Sequence, residues 1–125
     1  MYKDLDVWKD SVTLIQNVYN VADKLPKSEE YNLKSQIKRA VVSIALNIAE
    51  GKTRKSAKDF SHFLNISVAS LAETEACLSI CEALGYIEHD SALHESCRVL
   101  SYRINALKSK IDKKIKTWLP SRLAA

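Results

Sequence analysis

Ala40-Val41-Val42-Ser43-Ile44-Ala45-Leu46-Asn47-Ile48-Ala49 is apolar on almost every side of a helical wheel and holds no glycine or proline. A helix that is apolar all round is one surrounded by protein. The stretch therefore predicts the central helix of an all-α fold. The rest of the chain agrees: 125 residues contain only two Gly and two Pro, too few breakers for the many turns of an all-β domain. A hydrophobic content of 46% over that length is enough for one domain with a real core.

The central helix reaches back to about residue 28, where Ser28 with Glu29 and Glu30 reads as a first turn, and forward to about residue 50, where Gly51 is expected to supply a left-handed C-terminal residue. Before it, Leu5, Trp8, Val12, Ile15, Tyr19 and Ala22 form one stripe and Val7, Leu14, Val18, Val21 and Leu25 an adjoining one. These predict a helix over about 5–24, behind an Asp4 cap and ahead of Pro26. After it, Ser56 with Asp59 opens a third helix over about 56–84, ended by Leu84-Gly85. Asp90 or Ser91 opens a fourth over about 90–118, in which Leu93, Cys97, Leu100, Ile104, Leu107, Ile111, Ile115 and Trp118 keep helical spacing until Pro120. Four helices with short links predict an antiparallel up-down-up-down four-helix bundle, residues 1–125 forming one domain.

Charge is segregated along this framework. Residues 59–97 contain seven acids and no Lys or Arg, residues 34–58 contain seven Lys/Arg against Glu50, and residues 98–125 contain eight against Asp112. In an up-down bundle the end of helix 2, the start of helix 3 and the end of helix 4 meet at one pole. That pole collects Lys52, Arg54, Lys55 and Lys58 with Lys108, Lys110, Lys113, Lys114 and Lys116, while Glu29, Glu30, Glu82, Glu88, Asp90 and Glu95 gather at the other. Nine cations from two segments suit a phosphate backbone, with affinity that falls steeply with salt. Against this, lysines near a helix C-terminus also complement the macrodipole, and the basic segments hold few aromatic groups for base stacking. The N-terminal segment is charged throughout and no stretch nears the roughly 20 apolar residues of a membrane span, so the expected location is the cytosol. An odd count of three cysteines within helical patterns is expected to stay reduced there.

The run Ser35-Gln36-Ile37-Lys38-Arg39 through Glu50-Gly51, then Arg54-Lys55-Ser56, Asp59-Phe60, Phe63-Leu64, Ser70, Glu73 and Leu84-Gly85-Tyr86-Ile87, resembles the bacterial intervening-sequence proteins, S23-type four-helix bundles of which some are encoded within insertions in 23S rRNA genes. Ala69 departs from the pattern, where the family usually has Gly, which bears on packing. The resemblance implies a homo-oligomer, a pentameric ring, without an established role. It extends distantly to the accessory protein of diversity-generating retroelements, a pentamer that binds nucleic acid and a reverse transcriptase, an analogy at the level of fold. A ring would multiply a weak basic patch, and the wide apolar faces of helices 1 and 2 suggest a subunit contact. Arg39 and Glu73 match positions in the family pattern and fall near apolar seams, so a structural ion pair between them, direct or through water, is expected.

Other motifs carry less. Gly51-Lys52-Thr53 has the tail of a phosphate-binding loop, but Leu46 stands where the pattern needs Gly and no strand precedes it. Cys77, Cys81, Cys97 and His94 are placed by helical spacing where a zinc ion is conceivable, yet such cysteines are more often small core hydrophobes. His62 and His89 stand apart from any Ser or Cys nucleophile. Ser43, Asn47, Ser67 and Ser70 read as helix-packing residues. The expectation is a non-enzymatic, cofactor-free bundle that oligomerises and binds RNA or another nucleic acid. The alternative is a protein-binding scaffold or adaptor whose lysines serve solubility.

Overall fold

The structure, a computed structural model, describes residues 1–124, with side chains described through residue 115. Four α-helices, α1 Asp6–Ala22, α2 Leu33–Thr53, α3 Ala57–Ala83 and α4 Ser91–Ala124, carry the fold, with single 3-10 turns at Tyr2–Asp4 and Lys27–Glu29. No strand occurs among the described residues. Each helix packs on its neighbours in sequence and α1 closes onto α4, while among the described residues the diagonal pairs show no close backbone approach. The bonds between helices show the antiparallel sense. From Gln36 to Glu73, Ser43 to Ser70 and Ile44 to Ser67, partners descend in α3 as they ascend in α2. Glu82 and Glu75 of α3 meet His94 at the start of α4, while Ser61 meets Asp112 far along it.

The core follows the predicted stripes of α1 and α4 and the apolar run of α2, with α3 adding a face of its own. Val7, Leu14 and Val18 of α1, Ile37, Val41, Ile44 and Ile48 of α2, Leu64, Leu71 and Leu78 of α3, and Leu93, Cys97, Leu100, Ile104 and Ile111 of α4 are buried in one cluster. In the 40–49 segment Ala40, Val41, Ile44, Ala45 and Ile48 are buried and the rest half-buried, except Leu46, which is 63% exposed. Small polar residues weld α2 to α3: the Ser67 hydroxyl donates to the Ile44 carbonyl at 2.9 Å, and the Ser43 and Ser70 hydroxyls lie 3.0 Å apart. A short side chain at these positions admits close approach, and each hydroxyl finds a partner.

Helix ends show where local reading succeeds. Ser56 Oγ accepts from the Asp59 amide at 3.1 Å and Asp90 Oδ1 from the Leu93 amide at 3.0 Å, both as caps. Gly85, at φ 76°, makes the left-handed stop after α3. Five expectations need correction. Gly51 lies inside α2 with no positive φ, because α2 runs on to Thr53. The Ser28 start is a 3-10 turn, after which α2 begins at Leu33, and Asp4 sits in the N-terminal 3-10 turn, leaving Leu5 to precede α1 without a side-chain cap. α4 runs past Pro120 to Ala124, since a proline weakens a helix by one lost amide donor and a crowded carbonyl without having to end it. The Trp118 side chain lies outside the described residues. Finally, α3 is long and apolar enough by composition to cross a membrane. In the bundle it is the core helix gripped by both α2 and α4.

Candidate functional site

The basic residues cluster where the connection between α2 and α3, residues 54–56, turns back on itself. Lys52, Arg54, Lys55 and Lys58 are all exposed within seven positions. Phe60 and Phe63, half-buried in the first turns of α3, form the floor of this turn: the Lys52 ammonium lies 5.8 Å from the Phe60 ring centroid and the Arg54 guanidinium 4.9 Å from that of Phe63. His62 meets Phe63 edge-on at 5.7 Å. The basic turn thus has aromatic neighbours that sequence alone places on another segment, because the start of α3 folds back beside the end of α2.

The late part of α4 is tied to this pole by Ser61 Oγ donating to Asp112 Oδ1 at 2.6 Å. Lys108 is turned inward to the same carboxylate at 2.8 Å, so part of its charge is spent within the molecule. Arg54 is likewise paired with Glu50. Lys110, Lys113 and Lys114 are exposed; the Lys116 side chain lies outside the described residues. The pole is less uniformly basic than the helix ends suggest, because α1 begins there too. It brings Asp6, with Asp4 in the 3-10 turn before it and Asp10 paired to Arg103 of α4.

Arg39 and Glu73 make no direct ion pair. Both side chains are exposed, Glu73 accepts instead from Gln36 Nε2 at 2.6 Å, and no buried charge demands a partner. The wide apolar face of α1 is also mostly covered, with Leu5, Trp8, Ile15, Tyr19 and Val21 packed against the core. Exposed large apolar groups are instead spread over α2, α3 and α4, at Leu46, Ile80, Leu84, Val99 and Tyr102.

The opposite pole is not simply acidic. Asp23 accepts from Lys38 at 3.0 Å and lies 3.8 Å from Lys34, which also reaches Glu30 at 3.0 Å. The cysteines do not converge with His94. All three are buried free thiols, and burial pushes Cys97 up to about 11, which keeps it a protonated core group. His94, 5% exposed, is instead turned to two carboxylates: Nδ1 lies 3.0 Å from Glu75 and Nε2 contacts Glu82. His89 is not isolated either. Its Nδ1 contacts the second oxygen of Glu82, and its ring stacks on His94 at 5.1 Å. The Glu82 and then Glu75 contacts raise His94 above the usual histidine range against the opposing effect of burial, while His94 and then His89 hold Glu82 low. A sequence signal existed: Glu75 and Glu82 are seven residues apart, hence on one face of α3, and the two histidines flank the Asp90 cap.

These features define a small antiparallel four-helix bundle with a basic turn at one pole and a histidine–carboxylate cluster at the other. The chain belongs to the 23S rRNA-intervening sequence protein family, whose sequence profile matches residues 3–108. It is similar to a crystal structure of a protein of unknown function from the S23 ribosomal protein family of Bacteroides thetaiotaomicron, with 30% identity, a TM-score of 0.66, and coverage of 84% of this chain and 96% of that one. No curated protein matches the chain.

Proposed function

We propose that this protein is a non-enzymatic, oligomeric bundle that binds RNA through the basic turn between α2 and α3, with the exposed lysines of α4 extending the footprint. One observation carries the reading: Lys52, Arg54, Lys55 and Lys58 form a contiguous exposed turn, to which the Ser61–Asp112 bond ties the lysine-bearing part of α4. The half-buried Phe60, Phe63 and exposed His62 beside these cations supply flat groups of the kind that accompany phosphate contacts in single-strand binders. Assembly into a homo-oligomer, a pentamer in the form the family resemblance implies, would set several such turns on one particle. Exposed Leu46, Val99 and Tyr102 offer apolar area for the contact. Three buried free thiols suit a reducing, cytosolic setting.

The test is light scattering and RNA titration at two salt concentrations, comparing the native chain with Lys55→Glu/Lys58→Glu. Salt-sensitive binding that the charge reversal abolishes supports the reading. An oligomer indifferent to RNA overturns it and leaves the protein-scaffold alternative, in which the apolar groups recruit a partner and the lysines keep the particle soluble.

A further inference from the structure

We propose that Glu82, His89 and His94 form a binding site for a divalent transition-metal ion of the zinc class, with Glu75 as the outer carboxylate that orients His94. The carboxylate oxygen and the ring nitrogens of these three residues all lie within 4.8 Å of one another. Zinc holds imidazole nitrogen and carboxylate oxygen at roughly 2.0–2.2 Å, so three donors that span so little converge on one ion after small side-chain adjustments. Two imidazoles and one carboxylate are a donor set that zinc, cobalt and nickel favour over magnesium or calcium.

The surroundings match what a ligating histidine needs. His94 presents Nε2 to the cluster while Nδ1 lies 3.0 Å from Glu75 Oε2. That leaves the Nδ1 proton to be donated to a carboxylate, the arrangement that fixes ring orientation and tautomer at metal centres. Glu75 is itself held by Arg98, at 3.9 Å. The ligands come from three supports: Glu82 from the last turn of α3, His89 from the connection and His94 from the first turn of α4. Buried His94 anchors the site and exposed His89 opens it to solvent, so entry needs no opening of the bundle and a water can complete the coordination. An ion here clamps the α3–α4 hairpin at the pole opposite the basic turn.

The experiment uses the full chain freed of any affinity tag and stripped with chelator. Zinc is titrated calorimetrically, and cobalt by its visible absorption. Saturation at one ion per chain is expected, with a cobalt spectrum of low coordination number and a rise in melting temperature. His89→Ala, at an exposed position that does not threaten folding, and Glu82→Gln are each expected to weaken zinc binding by more than tenfold. Glu75→Gln is expected to weaken it by about tenfold or more while retaining the cobalt spectrum. His62→Ala, at the other pole, is expected to bind as the native chain does. Absence of saturable binding by the native chain, or native affinity in His89→Ala, overturns the proposal.

Discussion

Gly51 illustrates how a residue with an obvious local meaning can serve a different one. A glycine near a helix end suggests a left-handed stop, yet here it lies within α2, where a Cβ would come 2.8 Å from Phe63 Cβ and 2.9 Å from Phe60 Cδ1. Alanine gains about 1 kcal/mol in a helix interior over glycine, but a new methyl against the root of a packed side chain forces α2 from α3 at a cost of about 1–3 kcal/mol. Gly51→Ala is therefore expected to lower stability by about 1 kcal/mol, read as a shift in urea midpoint at unchanged m-value. The thiols give a second test at this scale. Cys97 is 1% exposed with its pKa pushed up by burial to about 11, so a disulfide reagent at neutral pH is expected to leave it unmodified in the native protein. All three cysteines should react in denaturant; rapid native labelling of Cys97 would contradict this packing.

At the scale of elements, the caps and the α2–α3 seam carry the argument. Ser56 and Asp90 satisfy amides at helix starts, and Ser56→Ala is expected to cost about 1 kcal/mol in chemical denaturation. Ser67 is fully buried with its hydroxyl on the Ile44 carbonyl. Ser67→Ala should cost about 1 kcal/mol for the lost bond, whereas Ser67→Leu should cost more by driving the helices apart, and the order of the two midpoints checks the account. Both caps were legible because their chemistry is local. The start of α2 was not: Ser28-Glu29-Glu30 has the composition of a first turn, yet the chain spends it on a 3-10 turn, with Tyr86 Oη reaching Glu29 at 3.2 Å. That partner is 57 positions away. A direct Arg39–Glu73 contact is missing for a related reason, since a rotation of α2 that no pattern of apolar residues specifies presents Gln36 to Glu73.

For the whole molecule, the distribution of charge leads to the remaining prediction. If Lys55 and Lys58 each neutralise a phosphate, Lys55→Ala/Lys58→Ala should reduce the slope of log affinity against log salt by about 1.5, with thermal stability unchanged because both side chains are exposed. An unchanged slope would remove the basic turn from the interface. The sequence by itself determined the fold class, the four helices, the buried stripes and the segregation of charge. These follow from helical periodicity, scarce breakers and short links, which act over one or two turns of chain. Tertiary structure alone decided which charges are spent on internal partners, as with Lys108 on Asp112 and Arg54 on Glu50, and that acids of α1 share the basic pole. It also decided that Glu75, Glu82, His89 and His94 converge. Those outcomes depend on the rotation and offset of helices about one another, fixed by side chains meeting across the bundle rather than along the chain.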